Sequence, residues 1–206
     1  MNKLYDKKFL ESIVQTILSS KNLSEVHNFT SSLKNDKIIS KEWLASETLK
    51  FIKPKTILIL GAWYPIILPL LLSNNSTIDC VDNDPNVKNL SDTFNNFFFK
   101  TSNLRNITAD ARSYLMAIDH NAYDLIVNTS CEHMDFDMKD LVYKSNALYA
   151  FQSNDYYFVK EHINCKKTLD EFICSTGINN VFYSGSLPFV SPLCKYNRFM
   201  VIGKVC

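Results

Sequence analysis

The spacing of apolar positions changes several times along the chain, and each change marks an element. Residues 56–60 are an unbroken β-branched and aliphatic run that stops at Gly61, the pattern of a strand buried on both faces. An apolar helical segment follows, Ser73, Asn74 and Asn75 punctuate it, and residues 77–81 make a second strand. That strand runs into Asp82, Asn83 and Asp84 before Pro85 opens a helix, since proline is favoured in a first helical turn. Residues 106–110, 123–128 and 147–151 follow at the spacing of three more strands, and 181–183 and 199–202 read as two closing antiparallel strands. Between them, Val87, Leu90, Phe94, Phe97 and Phe98 share one helical face, a short helix leads from Asp110 to Ala117, and Thr168 with Glu171 forms a capping box for a helix that stops at Gly177. Strands alternating with helices predict an α/β three-layer sandwich with a mostly parallel seven-stranded sheet, its last strand antiparallel.

Upstream, Leu10, Ile13, Val14, Ile17 and Leu18 form an apolar stripe on a helix over residues 4–18. His27 falls in a second short helical segment and reads as a surface residue. Ser40 is expected to cap a third helix carrying Trp43, Leu44, Thr48 and Phe51, which stops at Lys53 because a residue before proline avoids the helical region. Residues 1–53 are therefore expected to be a helical cap packed on a domain of residues 54–206, the whole forming one compact unit. Residues 185–197 hold two prolines and read as a long loop, of the kind that is often functional.

Composition narrows the function. With 206 residues, 46% of them hydrophobic, the chain can build one sizeable core. Its 22 basic and 21 acidic residues leave a charge of +1 with no like-charged run, which disfavours a nucleic-acid partner and leaves a small-molecule substrate as the expectation. The six cysteines have no regular spacing and read as reduced thiols. Without a signal-like N-terminus or an apolar run of membrane-spanning length, a cytoplasmic protein is expected.

The candidate chemistry gathers after the strands. Gly61 permits close approach of a ligand to the backbone, and a carboxylate at the end of the next strand, Asp82, can accept hydrogen bonds from a ribose diol. Asp110 is the candidate for an adenine contact. The strand over 123–128 delivers Asn128, Cys131, Glu132 and His133 to the same sheet edge, whereas Asp124, at its start, reads as structural. His133 suits a general base, Glu132 can orient it or bind a substrate cation, and Asn128 can hold the cofactor or the acceptor. Cys131, His133, His162 and Cys165 could instead hold zinc, but their spacing is not a metal signature, and no metal is expected.

The strand ending in Gly61, the V-D-x-D from Val81 to Asp84, Asp110 and the Y-D-L-I-V strand from Tyr123 resemble the class I S-adenosylmethionine-dependent methyltransferase superfamily over roughly residues 40–203. The resemblance implies a Rossmann-like fold and a cofactor site at Gly61, Ala62, Trp63, Tyr64, Asp82, Asn83, Asp110 and Ala111. The glycine loop departs from the family, which usually has small residues where this chain has Trp63 and Tyr64. The run N-T-S-C-E-H-M from Asn128, with Q-S-N from Gln152, is also similar to small methyltransferase-like proteins of phages and bacteria. That implies an acceptor pocket of Gln152, Asn154, His162 and Arg198, with Cys131 beside it. The implied activity is methyl transfer from S-adenosylmethionine to an oxygen or nitrogen of a small molecule. Alternatives are aminocarboxypropyl transfer, an NAD-type oxidoreductase, or a catalytically silent subunit whose cofactor cavity is filled by Trp63 and Tyr64.

Overall fold

A computed structural model describes residues 6–73, 75–99 and 103–206; positions 4 and 5 of the first expected helix, and Asn74, lie outside them. Three helices, α1 (Lys7–Leu18), α2 (Leu23–Ser31) and α3 (Asn35–Thr48), precede the sheet. There follow β1 (Thr56–Leu60), α4 (Ile67–Leu72), β2 (Thr77–Asp82), α5 (Pro85–Phe98), β3 (Leu104–Thr108), α6 (Ala111–Ala117), β4 (Leu125–Asn128), β5 (Leu148–Asn154), α7 (Leu169–Thr176), β6 (Asn180–Val190) and β7 (Lys195–Lys204). The strands form one sheet in the order β3-β2-β1-β4-β5-β7-β6. β1 to β5 pair in parallel, and β7 runs antiparallel to both β5 and β6. The expected sheet is observed, and its strand order reverses between β1 and β4, where open α/β sheets leave a crevice at their carboxyl edge.

Both faces of the sheet are buried. Leu58 and Leu60 of β1 pack with Leu115, Met138 and Phe172, while Ile57 and Ile59 face Leu44, Leu68 and Leu72 on the other side. This is why the run carries no polar alternation. A third cluster joins the N-terminal helices to α5: Phe9 meets the edges of Phe94 and Phe98 at ring distances of 5.8 and 5.7 Å, and Phe29 is fully buried beside them. Burying each such ring stabilises the packing by about 1.5–3 kcal/mol.

Several local expectations are corrected. In α1 the buried face is Phe9, Ser12 and Thr16, while Leu10, Val14 and Leu18 are exposed. Ser12 and Thr16 can be buried because their hydroxyls bond back to Lys8 O and Ser12 O, so the polar residues of this helix carry no unmet hydrogen bond inward. Phe97 is likewise exposed on α5. Ser40 lies in mid-helix, since α3 starts at Asn35, and the helix ends at Thr48, six residues before Pro54. β3 ends at Thr108, so Asp110 is a helix N-cap and not a strand end. β5 runs on through Gln152, Ser153 and Asn154, which pair with β7. Residues 185–197 are mostly a hairpin: β6 and β7 pair as far as Val190 and Lys195. Pro188 is tolerated because β6 is the outermost strand, where a ladder donor is dispensable. Among the described residues no helix is long and apolar enough to cross a membrane.

Candidate active site

After β1 the backbone turns at Gly61 with φ +55°, a conformation that strains any residue with a Cβ. A Cβ there would also lie 2.8 Å from Met134 Cε and 3.1 Å from Ser130 Cβ, and Ser130 Oγ donates to Gly61 O at 3.1 Å. Close approach to the glycine is therefore made by the loop after β4. Trp63 also has positive φ, +46°, and such strain persists only where the surroundings impose it. Here its N–H donates to Asp82 Oδ2 at 2.7 Å, and Lys37 Nζ stands 3.9 Å over its ring.

The other Asp82 oxygen accepts from Asp84 N at 3.0 Å. Burial raises the Asp82 pKa, with the two backbone N–H bonds pulling the other way. Asn83 follows on the exposed side of this turn, and Ala62 is buried. Tyr64 is turned into the third apolar cluster, 5.6 Å edge-on to Phe29. Asp110 caps α6 through Ser113 N and Oγ, bonds that lower its pKa, and Ala111 is buried behind it. The space left among Ala62, Trp63, Asp82, Asp84 and Thr108 is about 10 Å³, whereas cofactor pockets measure roughly 300–1,000 Å³.

The edge after β4 and β5 is built from buried polar side chains. Asn128 is fully buried; its Oδ1 accepts from Ser130 N at 2.8 Å and its amide donates to Met138 Sδ, so it shapes the turn. Glu132, 2% exposed, accepts from Asn154 Nδ2 at 2.7 Å and lies 3.4 Å from Arg198 Nη2, both at Oε1. Its Oε2 has no partner among the described residues. Arg198 also donates to Thr129 O and, at 3.5 Å, to Gln152 Oε1. Gln152 is tied to α3, accepting from Ser40 Oγ at 3.0 Å and donating to Ser40 O at 3.1 Å.

His133 and His162 meet edge to face with ring centroids 4.6 Å apart. Each Nδ1 faces a backbone carbonyl, Glu161 O at 3.1 Å and Tyr156 O at 2.6 Å. A carbonyl only accepts, so each Nδ1 holds the proton and each Nε2 keeps a free lone pair. Burial lowers the His133 pKa, which keeps it neutral at pH 7. Cys131 is buried with its thiol 3.9 Å from Asn128 O, and the Cys165 thiol faces Asn154 Oδ1 and Tyr156 O. Burial pushes both thiols up, Cys165 to about 12.

The sequence itself matches no family model and no curated protein. The architecture does find counterparts among solved structures. NodS, an N-methyltransferase from Bradyrhizobium japonicum, aligns with a TM-score of 0.60 at 11% identity, over 81% of this chain and 95% of that one. The N-terminal domain of EvdMO1, in the presence of SAH and D-fucose, aligns at 0.54 and 12% identity over 81% and 82% of the two chains. MtNAS, in complex with MTA and tNA, aligns at 0.53 and 13% identity over 97% of this chain and 70% of that one. This chain has the class I methyltransferase fold.

Within that methyltransferase fold, the residues expected at the acceptor side come together: Glu132, His133, Gln152, Asn154, His162 and Arg198 form one connected group. Asn128, Cys131 and Tyr64 are spent on local structure. Missed from sequence were Ser130 and Met134, which close over Gly61, and the α3 lysines Lys37 and Lys41. Burial lowers these lysines to about 8 and about 7. Their spacing of four was visible, but the same spacing describes any solvated helix face.

Proposed function

We propose that the chain is a transferase that uses S-adenosylmethionine to methylate an oxygen or nitrogen of a small molecule. The observation that carries the reading is the fold together with a structural neighbour, the N-terminal domain of EvdMO1, with SAH bound, since SAH is what remains of S-adenosylmethionine once the methyl group has left. Asp82 is the ribose partner in this reading, beside Gly61, Ala62 and Trp63, with Asn83, Asp110 and Ala111 around the adenine. Met134 and Ser130, which lie against Gly61, would have to make way for a cofactor that approaches the glycine.

In the transfer, the bond from the methyl carbon to sulfur breaks as the bond to the acceptor forms. The sulfonium becomes a neutral thioether, and the acceptor must shed a proton. Alignment supplies most of the rate. Proton removal falls to the groups at this edge with unspent acceptor capacity, which are Glu132 Oε2 and the Nε2 atoms of His133 and His162. Gln152 and Arg198 frame the acceptor. A cytoplasmic setting would keep the six free cysteines reduced.

A second reading has its own support. MtNAS carries MTA, which is what remains after the aminocarboxypropyl group, not the methyl group, leaves S-adenosylmethionine. Incubation with labelled S-adenosylmethionine and a metabolite extract separates the two. Accumulation of S-adenosylhomocysteine supports methyl transfer, methylthioadenosine supports the second reading, and turnover to neither leaves the fold as a silent subunit.

A further inference from the structure

We infer that Glu132, His133 and His162 form a binding site for a divalent transition-metal ion, zinc being the ion that best suits the donors. A carboxylate oxygen of Glu132 and one ring nitrogen from each histidine lie within 4.8 Å of one another. Proximity alone would be weak, and two further features point to a ligand. Glu132 is buried, yet among the described residues one of its oxygens is satisfied, by Asn154 and Arg198, while Oε2 has no partner. A buried, unpaired carboxylate oxygen is costly unless something answers it. In both imidazoles Nδ1 also faces a main-chain carbonyl, which places the proton there and leaves Nε2 as the nitrogen with a lone pair for a metal. Backbone carbonyls are among the groups that orient ligating histidines in metal sites.

The donor set decides the kind of site. Two imidazoles and one carboxylate suit zinc or iron(II) and leave a coordination position open, as in catalytic and not structural centres. The thiols of Cys131 and Cys165 are turned to Asn128 O, Asn154 Oδ1 and Tyr156 O, so the zinc alternative considered from sequence keeps its two histidines and exchanges both cysteines for Glu132. Arg198 offsets part of the carboxylate charge, and Lys37 adds positive charge within reach of Glu132. Binding is therefore weaker than in closed four-ligand sites and favours an acceptor with an anionic oxygen in the open position. Where the transferase reading holds, a bound ion would lower the pKa of an acceptor hydroxyl in the open position so that its proton passes to solvent water, and Glu132, His133 and His162 would then serve as ligands in place of proton acceptors.

The full chain, stripped with chelator, is titrated with Co²⁺ without S-adenosylmethionine, following the visible absorption of the ion, and Zn²⁺ is then added in competition. One ion per chain is expected, displaced by Zn²⁺, with affinity lowered at least about tenfold in His162→Ala and in Glu132→Gln and kept in Cys165→Ser. His162 is on a partly exposed loop, and circular dichroism checks that its variant folds. Absence of stoichiometric binding, binding indifferent to His162→Ala, or binding lost in Cys165→Ser overturns the site. Calorimetry with S-adenosylmethionine in chelator keeps the two ideas apart. Cofactor binding without metal binding removes the metal site alone, and metal binding without cofactor binding removes the transferase reading alone.

Discussion

Between β1 and β2 both oxygens of Asp82 already receive backbone N–H groups, and Met134 and Ser130 lie against Gly61. Between β4 and β5, Glu132 is more deeply buried and has one oxygen that receives no donor among the described residues. In the first region the strand-end carboxylate is satisfied by main-chain donors, and the glycine is covered by side chains. The second holds polar capacity that the fold does not use. Buried polar atoms without a partner are few in folded proteins, and among those of the described residues Glu132 Oε2 is the carboxylate oxygen, which singles out the acceptor side.

The difference is open to attack at its strongest contact. Arg198→Met removes the cation from Glu132 and leaves a buried charge with only Asn154. It is expected to lower stability by about 3–5 kcal/mol, as for other broken buried pairs, read by urea unfolding. Adding Glu132→Gln should restore much of the loss. A single variant as stable as the parent would mean that the edge is already solvated and that the contrast is false.

A smaller effect sharpens the cofactor side. Burial holds the Asp82 pKa above its ordinary value of 3.8. In the window between the two values the folded chain binds more protons than the unfolded one, so the ionised carboxylate is a cost to stability that grows as pH rises through it. A ribose diol donates more strongly to the ionised form. Affinity for S-adenosylmethionine should therefore be flat at neutral pH and fall as pH drops through the raised value, and Asp82→Asn should bind more weakly with no such slope. A slope unchanged in Asp82→Asn would assign the titration to another group.

These two regions were not equally legible in the sequence. Gly61, Asp82 and the strands around them follow from a local apolar run, a break and a strand-end carboxylate, all within thirty residues of one another. The acceptor side rests on pairs far apart in the chain: Ser40 with Gln152, 112 residues on, and Glu132 with Arg198. Residue type nominated Glu132, His133, His162 and Arg198, but no periodicity could tell that Asn128 would be consumed by its own turn or that Glu132 would keep a free oxygen. The hairpin of β6 and β7 was obscured because prolines mark breaks in the middle of a sheet but not on its outermost strand.

Calorimetry of S-adenosylmethionine binding to the parent chain, Asp82→Ala and Met134→Ala tests the account most directly. Stoichiometric binding is expected in the parent, at least about tenfold weaker in Asp82→Ala, where one lost charge-assisted bond is worth about 1.5–3 kcal/mol. Binding in Met134→Ala should be tighter, since the side chain that must leave Gly61 is gone. No binding by either the parent or Met134→Ala would contradict the account and make this methyltransferase fold a silent one.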